Sequence, residues 1–175
     1  MFMSSSLLSC SNHREKIVEE FMNTTLVVDF DKMLYIGTDS TWKDKAQFIH
    51  VLWLDSANCS SCISNKTVLW NDFEKKAQKI CPGYKFCTVI SGDKSKKKMI
   101  EKIQYYSVSS IPIYIDTADV FIKYNPIIKK SQYFNCFLMD RCGKIKIIGN
   151  PTINAKIEPL IFDFLRKQKS EINTN

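Results

Sequence analysis

The first periodic stretch of the chain is Arg14 to Phe21, where Ile17, Val18 and Phe21 fall on one side of an expected short helix. Two apolar runs follow, Leu26-Val27-Val28 and Met33-Leu34-Tyr35-Ile36, separated by Asp29-Phe30-Asp31-Lys32; they predict two short strands. Thr38 to Lys45 reads as a polar loop. Phe48-Ile49-His50-Val51-Leu52-Trp53-Leu54 is almost continuously apolar, the pattern of a strand covered on both faces. A helix is expected after Cys59-Ser60-Ser61-Cys62, because Leu69, Phe73, Ala77 and Ile80 recur at helical spacing until Cys81-Pro82-Gly83 breaks it. Next come a strand over Phe86 to Ile90, a helix over Lys94 to Tyr106, a strand over Pro112 to Ile115 and a short helix over Ala118 to Tyr124. Phe134 to Met139 and Lys144 to Ile148 read as a hairpin turning through Asp140-Arg141-Cys142-Gly143. The last helix takes Ile153, Ile157, Leu160, Ile161 and Phe164 as its stripe, with Pro159 marking a kink or a later start.

From residue 48 the order is therefore β-α-β-α-β-α-β-β-α. Strands alternating with helices predict an α/β fold with a parallel-rich sheet and helices on both faces, closed by an antiparallel hairpin and a final helix. The expected organisation is a disordered start over 1–13, an N-terminal extension over 14–45, one main domain over 46–168 and a disordered tail over 169–175. A length of 175 residues suits one full core. With 45% hydrophobic and 25% charged residues, the composition excludes wholesale disorder. No run of about 18 apolar residues is present, so no helix of this sequence is expected to span a bilayer. His13 and His50 are the only histidines, which leaves little for histidine-built zinc sites or Ser-His-Asp chemistry. The net charge of +7 includes a run at Lys94, Lys96, Lys97 and Lys98. That run reads as a solvated helix face or as an attraction to anionic lipid or acidic partners. No basic motif interleaved with aromatics points to nucleic acid.

Seven cysteines are the unusual feature. Leu7-Leu8-Ser9-Cys10 resembles a bacterial lipobox, in which the cysteine is lipidated; the alternative is a chance match on a polar start. Lipidation at Cys10 would tether the domain to a membrane surface in the cell envelope, facing the periplasm, where disulfides persist. Without it, a cytoplasmic location is expected.

Cys59-Ser60-Ser61-Cys62 stands at a strand-to-helix junction. Thiolate is the reactive form of cysteine, and the unsatisfied N–H groups and macrodipole of a helix start favour it. Asn58 is a good N-cap, putting Cys59 in the first turn with Cys62 on the same side. Cys59 is then the expected nucleophile and Cys62 the resolving thiol, the arrangement of a redox site near a β-α-β unit. Three other readings stay open: half of a zinc site, a permanent structural disulfide, or an inert remnant. No second cysteine pair or histidine pair completes a metal site, and no cofactor is called for.

The strand, the Asp55-Ser56-Ala57-Asn58-Cys59-Ser60-Ser61-Cys62 segment with its helix, the Phe137-Leu138-Met139-Asp140 strand end and the Gly143-Lys144-Ile145 turn together resemble the thioredoxin-like superfamily, over about residues 46 to 167. The helix and strand between Lys94 and Ile115 resemble the insertion of its TlpA-like thiol–disulfide oxidoreductase branch, and the start suits a membrane-anchored member of the Bacteroidetes type. The resemblance implies a central mixed sheet flanked by helices, protein dithiol or disulfide substrates and an upstream redox partner. It also implies a substrate groove at Phe134, Asn135 and Asp55. Phe134 stands where the family carries a cis-proline, Asn58 replaces a tryptophan, and the buried acid of thioredoxin falls on Trp53. The other function class is a redox-inactive binding module on the same fold. Cys136, beside the proline position, is either a buried small residue or a thiol near the dithiol. Cys81 and Cys87 flank a Pro-Gly turn and could pair as a structural disulfide; Cys142 sits in the hairpin turn.

Overall fold

In a computed structural model the backbone is described over 6–55, 62–91, 111–130 and 134–173, and side chains over 14–55, 69–91, 111–130 and 134–171. Ten elements follow in order: α1 (Ser6–Met22), β1 (Leu34–Ile36), β2 (Phe48–Asp55), α2 (Cys62–Ile80), β3 (Tyr84–Ser91), β4 (Ile113–Asp116), α3 (Val120–Tyr124), β5 (Cys136–Asp140), β6 (Ile145–Ile148) and α4 (Ile157–Asn173). The six strands form one mixed sheet in the order β1-β4-β3-β2-β5-β6. β2, β3 and β4 run parallel, and β1, β5 and β6 join antiparallel. The sheet is the expected mixed one closed by a hairpin, but it is not parallel-rich: two strand pairings are parallel and three antiparallel, because β1 joins the far edge antiparallel.

Strand alternation divides β2 between two cores. Phe48, Leu52 and Leu54 belong to the core under α2 and α4, with Trp70, Phe73, Ile161 and Leu165. Ile49 and Val51 belong to the opposite core, with Phe21, Trp42, Phe121 and Phe137. α1 covers part of that second face: Phe21 stacks on Phe137 at 5.6 Å between ring centroids and meets Phe134 edge-on at 5.5 Å.

Several expectations need correction. The first helix begins at Ser6, so the backbone of 6–13, expected to be disordered, is helical, and Cys10 lies within it. No glycine or proline interrupts Ser6 to Arg14, so nothing in the sequence stops the helix from running back. The disorder expected over 169–175 fails likewise for its first residues, because α4 continues to Asn173. The extension over 14–45 is not merely packed on the domain: β1 pairs with β4 and forms an edge of the sheet. Leu26-Val27-Val28 forms no strand; only Thr25 bridges to Lys144. The loop before β2 buries Trp42, whose Nε1 donates to the Tyr114 hydroxyl at 3.0 Å. On α4 the buried positions are Ile161 and Leu165, while Leu160 is exposed; Ile153 precedes the helix and is exposed. Pro159 sits in the first turn of α4, where its missing N–H has no helical partner to lose, so the helix starts later rather than kinking. The helix expected over Lys94 to Tyr106 lies outside the described residues.

Candidate active site

β2, which lies between the parallel β3 and the antiparallel β5, ends at Asp55, and α2 opens at Cys62. The junction lies at the C-terminal edge of the parallel strands, where open α/β sheets place their ligands. Cys59 lies outside the described residues. Cys62 is the first residue of α2; its side chain also lies outside them. The first turn of α2 carries no acidic residue to offset the positive end of the helix dipole. Asp55 is exposed at the strand end.

The segment before β5 approaches the same edge. The Trp53 N–H donates to the Asn135 carbonyl at 2.7 Å, tying this segment to the end of β2. Regular alternation would put Phe134 on the face of Cys136 and Leu138, beneath α2. Because Phe134 precedes the strand, it escapes that alternation, and its half-buried ring packs into the opposite core against Phe21. The Phe134 ring, expected in a substrate groove, is directed to α1 instead.

On the α2 face, His50 is fully buried among aromatic rings, including Trp70 edge-on at 5.2 Å. Its Nδ1 lies 2.7 Å from the Tyr84 hydroxyl and its Nε2 lies 3.2 Å from Cys136 Sγ. Burial pushes the imidazole down to about 3, with the hydrogen bond to the Gly149 carbonyl opposing that shift. The ring is thus neutral and has one N–H. We assign that proton to the Gly149 carbonyl, so that the Tyr84 hydroxyl donates to Nδ1. Burial also raises the Cys136 thiol and the Tyr84 phenol well above their ordinary values. Cys136 is a protected thiol, not an ionised one.

The far face holds a second polar chain. Trp53 donates through Nε1 to Ser91 Oγ at 2.9 Å, and Ser91 donates to Asp116 Oδ2 at 3.3 Å. Asp116 is fully buried and accepts the Val120 and Phe121 N–H groups, both at 2.8 Å, capping α3.

The Cys81–Cys87 disulfide does not form. Cys81 faces the α2 core, with Sγ 3.3 Å from Gln47 Oε1, whereas Cys87 points into the opposite core. Both are free, and the sheet lies between them. Burial raises the Cys87 thiol far above its ordinary value. Cys142 is free and exposed in the hairpin turn. Among the described residues no group of histidine, cysteine and carboxylate side chains could hold a metal.

No protein-family model matches the chain, and no curated protein matches it either. Solved structures do. A candidate thiol–disulfide oxidoreductase of Bacteroides vulgatus aligns with TM-score 0.52 at 16% identity, over 71% of this chain and 78% of its own. The reduced N-terminal domain of PilB from N. meningitidis gives 0.51 at 15% identity, over 73% and 84%. A candidate thiol:disulfide interchange protein DsbE of Chlorobium tepidum gives 0.51 at 14% identity, over 76% and 93%. At such identities the likeness is one of fold.

Proposed function

We propose that this chain, which has the thioredoxin-like fold, is a thiol–disulfide oxidoreductase acting on protein substrates through Cys59 and Cys62. One observation carries the reading. The second cysteine of Cys59-Ser60-Ser61-Cys62 is the first residue of α2, the helix that follows β2 in the chain, with no acid in that helical turn. The insertion between Lys94 and Ile115 supports a place in the TlpA-like branch.

In the reducing direction the Cys59 thiolate attacks one sulfur of a substrate disulfide. A Cys59–substrate disulfide forms, and the other substrate sulfur leaves as a thiolate that takes up a proton. The Cys62 thiol gives up its proton and attacks Cys59 Sγ. The second substrate thiol is released, and the Cys59–Cys62 disulfide remains. Two electrons and two protons have passed to the substrate, and a dithiol partner protein restores the reduced state by the same exchange. The reverse sequence oxidises a substrate dithiol.

The test is insulin-disulfide reduction and refolding of a scrambled disulfide protein, by wild type and Cys59→Ser. Loss of turnover in the variant is expected; equal rates would remove the reading. Cys62→Ala should accumulate mixed disulfides at Cys59, naming the substrate by mass spectrometry. Phe134, standing in for the family's proline with its ring turned onto Phe21, favours the second reading, a redox-inactive binding module. That reading predicts no trapped species. The lipobox-like Leu7-Leu8-Ser9-Cys10 supports a lipid tether at Cys10 in the cell envelope, tested by the mass of the protein purified from membranes. Processing there would leave the Phe21 contacts of α1 in place.

A further inference from the structure

The end of the sheet away from Asp55 carries a second feature that the dithiol does not use. Ile49, at the start of β2, pairs in register with Met139, near the end of β5, and both side chains face the core on the α1 side. Residues 25–30 arch over this pair and leave a cavity of about 400 Å³. That volume lies within the usual range of small-molecule sites. The arch is pinned at both edges. The Leu26 N–H donates to the Gly143 carbonyl at 2.8 Å. Val27 exchanges two hydrogen bonds with the Asn125 side chain, both 2.8 Å. Gly143 makes the close approach feasible: its φ is 83°, and a Cβ there would stand 2.1 Å from the Leu26 carbonyl oxygen. The cavity is therefore held open by backbone geometry rather than left by loose packing.

Its walls are apolar, from Leu26, Val28, Phe30, Ile49 and Met139. Its rim is cationic, from Lys43 and Arg141. Arg141 donates through Nη2 to the Asp44 carbonyl at 2.9 Å and makes no ion pair among the described residues. A guanidinium has five N–H donors, so most of its capacity is free for an incoming anion. Lys43 pairs at 3.1 Å with Asp31, whose side chain is 91% exposed, a pairing that water screens strongly. An open, mainly apolar cavity with an under-neutralised guanidinium at its rim suits a ligand with an aliphatic body and one anionic end.

We propose that this cavity binds a long-chain fatty carboxylate, its chain against Ile49 and Met139 and its carboxylate on Arg141, with Lys43 second. The inference is independent of the dithiol, and its test uses the full chain. A polyene fatty acid whose emission rises in apolar surroundings is the probe, displaced by palmitate or by its methyl ester. Palmitate should displace it at least about tenfold better than the ester, the scale of a charge-assisted hydrogen bond. Arg141→Glu should weaken the probe by a similar factor, Lys43→Glu by less, and Val28→Trp should abolish binding by filling the chamber.

Cys142 lines the same cavity and is exposed, so palmitate should slow its alkylation in the wild-type protein, read by peptide mass spectrometry. The ligand and alkylation comparisons need no variant to fold. Equal displacement by acid and ester, binding unmoved by Arg141→Glu, or binding that leaves Cys142 alkylation unchanged would each overturn the proposal. So would the absence of any binding.

Discussion

The two faces of β2 treat buried polarity differently. Toward α2 and α4 the layer is mainly aromatic and aliphatic, and His50 with Tyr84, Cys136 and the Gly149 carbonyl forms a polar island within it. On the other face polar groups tie elements together. Trp53, Ser91 and Asp116 link the ends of three parallel strands to α3, and Asn125 holds the arch before β1. The first face is rigid because it is closely packed; the second is specified by hydrogen bonds that only one arrangement satisfies. The difference teaches where each face is vulnerable: the first to acid and to changes of volume, the second to the loss of single acceptors.

The largest expected effect tests the aromatic exception on the hydrogen-bonded face. Phe21→Ala removes the contact of α1 with both Phe134 and Phe137 and should cost about 4 kcal/mol in urea unfolding. Asp116→Ala comes next. It orphans two buried N–H groups and the Ser91 hydroxyl, and about 3 kcal/mol should be lost. A loss below about 1 kcal/mol would erase the distinction between the faces.

His50 sharpens the comparison through pH. Its folded value of about 3 lies below the unfolded value near 6.5, so in the window between them the unfolded chain binds the extra proton. Stability contributed by His50 is intact above pH 6.5 and falls as pH drops through that window, by about 1.4 kcal/mol per unit. His50→Phe should flatten this part of the stability curve, measured as the difference from wild type so that the carboxylates cancel. The smallest effect is expected at Trp70, whose Nε1 is buried without a partner among the described residues while its ring stacks on Phe86 at 3.8 Å. Trp70→Phe relieves that orphan donor as it removes volume, so the net change should stay near about 1 kcal/mol.

Much of the fold was legible because period-2 and helical patterns are strong where both faces are buried. β2, α2, β3, β4 and the β5–β6 hairpin all fall within a few residues of their expected positions. The failures share a cause. The short strand expected over Met33 to Ile36 forms as β1, but its pairing with β4, some eighty positions away, was not legible, and Leu26-Val27-Val28 forms no strand because its backbone bonds are taken by Gly143 and Asn125. Such long-range partners leave no periodic signal. The stripe of α4 was misread because Leu160 faces outward while Leu165 faces in. Cys81 and Cys87 are close in sequence, and only the intervening sheet separates them. At the candidate site the helix that follows the cysteine pair was legible from spacing, and Cys62 is its first residue. The His50–Cys136 contact was not, because an antiparallel register joins residues 86 apart.

The central claim is that the start of α2 makes Cys59 a nucleophile. The most direct measurement is the pH dependence of iodoacetamide alkylation at Cys59 in the reduced protein, followed by peptide mass spectrometry. A midpoint at or below about pH 7.5 is expected, under the ordinary thiol value near 8.5. A midpoint at or above the ordinary value would contradict the account.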